Sequence, residues 1–201
     1  ATVLALAHGQ ELLGLLAVRD AMRPDAAEAL AQLRSDGLAL AVLSGDREGP
    51  VRQLGQQLSL QPDQLAWGLR PEHKLQRLHQ ASGPVAMVGD GLNDAPALAA
   101  ADLGIAVGTG TQIAQDSADL VVLGERLMAV PQALALARSA QAKIRQNLSW
   151  AFGYNLLVLP LAAGVLLPGF GLLLTPPLAA LLMALSSITV VANALLLRAP
   201  A

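Results

Sequence analysis

The run Met87-Val88-Gly89-Asp90-Gly91-Leu92-Asn93-Asp94-Ala95-Pro96-Ala97-Leu98 decides how the rest of the chain is read. It starts at the end of a short apolar segment, Val85 to Val88, passes through two glycines, two aspartates and an asparagine, and re-enters apolar residues with a proline near the start. An apolar run of that length reads as a buried strand, and proline is tolerated in the first turn of a helix. The expected unit is therefore strand, polar loop, helix. Working outward, Leu38 to Leu43 reads as a second strand that ends in Ser44-Gly45-Asp46, and Gly104 to Val107 and Leu120 to Leu123 read as a third and fourth. Asp25 to Ser35 reads as a helix closed by Gly37, and Pro50 and Pro71 sit where first helical turns accept them. Short strands alternating with amphipathic helices predict an α/β fold with a parallel sheet. Ahead of it, Thr2 to Ala7 and Glu11 to Val18 around His8-Gly9 read as a hairpin.

In open parallel sheets ligands gather outside the carboxyl ends of the strands. If the strands ending at Leu43 and Val88 are neighbours, Asp46, Asp90, Asn93 and Asp94 converge, with Gly45, Gly89 and Gly91 letting backbone approach a ligand. Oxygen ligands of this kind suit Mg²⁺ shared with a phosphate, and Lys74 offers the positive charge that a transferring phosphoryl group needs. Taken alone, Ser44-Gly45-Asp46 reads as an ordinary turn and Lys74 as a solvated helix residue. The Mg²⁺-phosphate reading rests on the combination.

The other signal is where charge stops. The 201 residues are 54% hydrophobic and 14% charged, against about 25% charged in a usual soluble domain. Of the 28 charged side chains, 27 precede Leu148, and Leu148 to Leu197 holds none. A membrane-crossing helix needs roughly 20 apolar residues, so the stretch divides into expected spans at 148–167 and 178–197 around Pro168-Gly169 and Pro176-Pro177. Arg138, Lys143 and Arg145 before the first span and Arg198 after the second place both flanks, and with them residues 1–147, on the cytoplasmic side of a lipid bilayer. Residues 126–147 read as a helical stalk. A net charge of -2 and 2% aromatic residues leave neither a basic footprint nor stacking platforms, so nucleic acid is not an expected partner. The chain holds no cysteine, which excludes disulfides and thiolate metal sites within it.

The run from Met87 to Leu98 resembles the hinge motif of P-type ATPases, and Gly104-Ile105-Ala106-Val107-Gly108 through the two expected spans resembles their heavy-metal-transporting branch. The resemblance implies a haloacid-dehalogenase-like, Rossmannoid phosphorylation domain at 20–125, a remnant of the nucleotide-binding domain at 1–19, a stalk at 126–147 and two transmembrane helices within 148–201. It implies Asp90 and Asp94 as Mg²⁺ ligands, Asn93 and Asp94 as organisers of metal and phosphate, and Lys74 as the phosphate-contacting lysine. Ser44-Gly45-Asp46 resembles the family's Thr-Gly-Asp, placing Asp46 near ATP and the phosphoryl group, with Ser44, Gly45 and Gly91 beside it.

Tyr154, Asn155, Met183 and Ser187 are polar or soft groups in otherwise apolar spans, and such groups usually face a bundle interior. They resemble the ligand pattern of copper(I) and silver(I) transporters, and a thioether suits Cu(I). The family's phosphorylated aspartate and its Cys-Pro-Cys have no match in this sequence, so the expectation is a carboxyl-terminal part of a longer polypeptide. Two alternatives stay open: a membrane-anchored module without catalysis, and a membrane-tethered phosphatase of the same soluble fold.

Overall fold

The computed structural model describes residues 2–9, 11–18, 21–90, 94–108, 116–124, 126–171 and 174–197. The chain divides into two compact units, Ala1–Pro131 and Gln132–Ala201.

The first unit opens with β1 (Thr2–His8) and β2 (Glu11–Val18), an antiparallel pair that forms its own two-stranded sheet, as the hairpin reading expected. Gly9, at φ +63°, takes the turn. There follow α1 (Ala26–Ser35), β3 (Val42–Leu43), α2 (Glu48–Gln57), β4 (Leu65–Ala66), α3 (Pro71–His79), β5 (Ala86–Gly89), α4 (Ala95–Ala100), β6 (Leu103–Val107) and β7 (Leu120–Val122). Strand and helix alternate as predicted, and every pairing after the hairpin is parallel.

The sheet differs from the expectation in two ways. It is divided: β3 pairs with β4, while β5, β6 and β7 form a separate ladder in that order. The strand expected over Leu38 to Leu43 is only Val42–Leu43, and β4 was not expected at all. Side-chain bonding explains the shortening, because the carbonyl of Leu40 accepts a hydrogen bond from the Gln64 side chain at 2.9 Å. That carbonyl is then committed to a side chain, and the ladder starts two residues later.

Two apolar clusters hold these pieces. Ala26, Leu58 and Leu60 are buried together, with Leu30, Leu40, Val42, Leu54, Leu65 and Leu127 packed on them. Met87, Ala97 and Leu98 form the other, against Leu78 and Ala101. The central strand β6 has Ile105, Ala106 and Val107 almost fully buried, as a strand covered on both faces requires. Gly104 lets α4 lie close, since a Cβ there would overlap the carbonyl oxygen of Leu98. Two carboxylates serve as ladder ends: Asp102 accepts from the Val85 N–H and Asp119 from the Gly104 N–H, each at 2.8 Å.

The second unit is helical. Helix α5 (Ala129–Ala162) is continuous, so the expected stalk and the expected first span are one element. It stops short of residue 167, with Pro160 inside its last turn and Gly164 at φ +83° in the turn that follows. Only 15 residues of the uncharged stretch, 148–162, are then in this helix, fewer than the roughly 20 that cross a bilayer. A short α6 (Leu167–Phe170) follows, and α7 (Pro176–Leu195) carries the second apolar stretch. Among the described residues, α7 is the one helix both long and apolar enough to cross a membrane. The two long helices are tied at one end: Lys143 Nζ donates to Asn193 Oδ1 at 2.8 Å, and Asn193 Nδ2 donates to Asn147 Oδ1 at 2.8 Å and Gln146 Oε1 at 3.4 Å.

Candidate functional site

Beyond the ends of β3 and β5 the first unit holds a cavity of ≈ 510 Å³. Its polar lining comes from Ser44, Asp46, Lys74, Asp90 and Asp94, residues drawn from three separate loops and helices. β3 and β5 are not ladder neighbours, yet their following loops open into one space, so the convergence expected from the spacing holds.

Local bonding explains how each group is held. The carbonyl of Ala66 accepts from the Ser44 N–H at 2.9 Å, and the Ser44 carbonyl accepts from the Leu69 N–H at 3.0 Å. These bonds lock the loop after β3 against the loop after β4. Asp46 closes the turn: its N–H donates to Ser44 Oγ at 3.1 Å, and its carbonyl accepts from the Gly68 N–H at 2.7 Å. The Asp46 carboxylate itself is exposed. At Gly45 a Cβ would lie 3.3 Å from the carbonyl oxygen of Leu69, so the position has little room for a side chain.

On the opposite wall, Lys74 in the first turns of α3 donates from Nζ to Asp94 Oδ1 at 2.5 Å. Asp94 is also the residue that starts α4, and its side chain makes no capping bond to that helix. The carboxylate is turned to Lys74 instead. Both side chains are largely buried, at 13% and 15% exposure, which strengthens a charge-assisted bond relative to a solvated one. Gly89 is packed beneath it, where a Cβ would lie 3.0 Å from Asp94 Oδ2. Asp90, at the end of β5, is exposed and lines the same space.

Two of the positions read as site residues in the soluble part, Gly91 and Asn93, lie outside the described residues. The sequence reading missed Leu69 and Pro71, which complete the cavity lining. Neither carries reactive chemistry, so nothing in their residue types could have marked them. Leu69 contributes through the backbone pairing between the two loops.

In the second unit Tyr154 is half-buried and Asn155 exposed on α5, while Met183 and Ser187 are exposed on α7. Met183 and Ser187 share a helix face as expected, and the Ser187 hydroxyl donates to the Met183 carbonyl at 3.4 Å. No hydrogen bond among the described residues joins the α5 pair to the α7 pair.

Residues 2–102 match a family model described as haloacid dehalogenase-like hydrolase, and residues 72–134 match a second with the same description. A probable copper-transporting ATPase of a Synechococcus species is 47% identical over 201 residues, covering 98% of this chain and 25% of that protein. A chloroplastic copper-transporting ATPase of Arabidopsis thaliana is 43% identical over 196 residues, covering 95% of this chain and 22% of its own length. Among solved structures, a phosphoenzyme-state crystal structure of a zinc-transporting PIB-type ATPase superposes with a TM-score of 0.78 at 36% identity, over 98% of this chain and 31% of that one. The chain spans about a quarter of the length of the curated relatives it matches.

Proposed function

The chain belongs to the haloacid dehalogenase-like hydrolase family, and from that premise we propose that its loop cavity handles the phosphoryl group of an ATP-driven copper(I) transporter. The observation that carries this reading is the meeting of Asp46, Asp90, Asp94 and Lys74 around one cavity beyond the strand ends. Identities of 47% and 43% to proteins named as copper-transporting ATPases, across nearly the whole chain, support the same assignment.

The donor set fits Mg²⁺: the exposed carboxylates of Asp90 and Asp46 offer hard oxygens, with Asp94 beside them and space for water and a phosphate between. Bound there, Mg²⁺ supplies charge neutralisation for phosphoryl oxygens. The chain's own groups do the rest. Lys74 presents an ammonium to the phosphoryl group from a position fixed by Asp94, so the charge is in place before transfer and needs little reorganisation. The Ser44 hydroxyl accepts from the Asp46 N–H, which leaves its own proton to donate to a phosphoryl oxygen. The lack of a side chain at Gly45 keeps backbone open to the same ligand. In the complete transporter an aspartate carboxylate accepts the ATP γ-phosphoryl, and water later releases it.

For the cargo, the apolar stretch 148–197 carries no acid to pair with a divalent ion, whereas Met183 offers a soft thioether next to a hydroxyl. Cu(I) is the proposed substrate, with Ag(I) as the chemically related ion. Tyr154 and Asn155 on α5 and Met183 and Ser187 on α7 are the proposed contributions of this chain to its path. The soluble unit lies on the cytoplasmic side in this reading.

The test is ATP hydrolysis by membranes that express the complete reading frame encoding these residues. Cu(I) stimulates turnover in the unaltered protein; Asp90→Asn abolishes phosphoenzyme formation from ATP; Met183→Ala lowers the Cu(I)-stimulated rate while phosphoenzyme still forms from inorganic phosphate. Unchanged Cu(I)-stimulated turnover in both variants overturns the reading. Phosphomonoester hydrolysis indifferent to joint replacement of Tyr154, Asn155 and Met183 would mark a tethered phosphatase.

A further inference from the structure

Helix α5 carries a second concave feature, an open groove of ≈ 540 Å³ lined by Arg138, Gln141, Arg145, Gln146, Ser149 and Trp150. All six are exposed. At about 100° of rotation per residue, Arg138, Arg145 and Ser149 lie about 140–180° around the helix from Tyr154. Lys143 and Asn147 lie within about 20° of it on the same count, and both are bonded to Asn193 of α7. The groove is therefore on the flank of α5 turned away from α7.

Its chemistry is graded along the helix axis. Arg145 stands three residues before Leu148, where the uncharged stretch starts, and Trp150 stands two residues after it. From Arg126 to Ala201 the chain has five cations, Arg126, Arg138, Lys143, Arg145 and Arg198, and no Asp or Glu. An anion in the groove would meet no carboxylate of this segment. Guanidinium groups bind phosphate bidentately, an indole prefers the boundary between hydrocarbon and headgroups, and Gln and Ser add neutral donors.

We propose that this flank of α5 seats the headgroup of an anionic phospholipid, with Arg138 and Arg145 on its phosphate and Trp150 beside its upper acyl chain. The proposal rests on the membrane reading above. The lipid's tails would run along the apolar turns that follow Leu148, which a soluble phosphate lacks the means to use. Basic side chains near a membrane surface draw anionic lipids strongly enough to be measured individually.

The experiment uses the chain reconstituted in phosphatidylcholine vesicles, with Trp67→Phe leaving Trp150 as the only indole, and compares quenching by brominated phosphatidylglycerol and brominated phosphatidylcholine. Two guanidinium contacts predict a preference for the anionic lipid of roughly tenfold. Arg138→Gln with Arg145→Gln brings the preference close to one, Arg145→Lys keeps most of it, and Arg198→Gln leaves it unchanged. Insertion into phosphatidylcholine with equal quenching by both lipids overturns the seat and leaves the membrane reading standing. Failure to resist carbonate extraction overturns both. Loss of the preference on adding inorganic phosphate, at constant ionic strength, overturns the lipid assignment in favour of a general anion site.

Discussion

Lys74 and Asp94 are 20 residues apart in sequence and 2.5 Å apart in space, joined between α3 and the start of α4 across the floor of the loop cavity. Each is the other's charge partner in a setting about one-seventh exposed. Removing one leaves the other poorly solvated and without its counter-ion. Lys74→Met is expected to lower unfolding stability by about 2–4 kcal/mol. The joint variant with Asp94→Leu should recover part of that loss. Urea titrations followed by Trp67 emission test this, and a single-variant loss equal to the double-variant loss would show the pair to be uncoupled.

Gly104 sits where β6 passes under α4, and a methyl group there overlaps the Leu98 carbonyl oxygen. Backbone cannot step aside as a flexible side chain can. Gly104→Ala should cost about 1–3 kcal/mol. Gly14→Ala is the matched control, because a Cβ at Gly14 meets nothing within 4 Å. Equal stability of the two variants in the same titration would contradict the close approach.

Ser59 holds φ +54°, a left-handed conformation that a side chain disfavours, while its carbonyl and that of Leu58 each accept from the Arg34 guanidinium at 2.9 Å. The contact fixes the turn after α2 and gives the helix's last carbonyls a cation. Ser59→Gly removes the steric cost and should raise stability by about 0.5–1 kcal/mol. Arg34→Met should lower it. A destabilised Ser59→Gly would mean that its hydroxyl, not its backbone, matters.

Asp25 is held below the ordinary carboxylate range, chiefly by the Met128 N–H that donates to its Oδ2 at 2.9 Å, with further help from the Leu127 N–H and the Arg126 charge. Its folded pKa is depressed, so its contribution to stability is complete above the unfolded value of about 3.9 and fades as pH falls through the folded value. The stability difference between the unaltered chain and Asp25→Asn should thus be constant from neutral pH to about pH 5 and shrink below about pH 4. Unfolding titrations across that range would refute this if the difference stays flat into strong acid.

Much of this was legible from residue order. Strand Ala86–Gly89 followed by acids and glycines, with Pro96 opening a helix, predicted both the local fold and the position of Asp90 and Asp94 on the cavity. β6 and β7 came within a residue of their expected limits because buried apolar runs with sharp polar ends mark themselves. Leu38 to Ala41 could not be read correctly: they are as apolar as a strand, and a side-chain bond from Gln64, 24 residues away from Leu40, decides otherwise. β4 is two residues long and offers no period to detect. In the apolar end, residue type located the helices, while the place where α5 stops depends on Pro160 and on the left-handed turn at Gly164.

The knot at the end of the two long helices has a direction. Asn193, Asn147 and Gln146 each carry an amide that could be turned end for end, exchanging donor for acceptor. An ammonium only donates, so Lys143 makes Asn193 present its oxygen, which turns the Asn193 nitrogen toward the oxygens of Asn147 and Gln146. One positive charge therefore sets the sense of a three-amide relay. With a neutral group in its place the relay has two settings of similar energy, and the helix ends would be joined by bonds that no longer agree on which way they point.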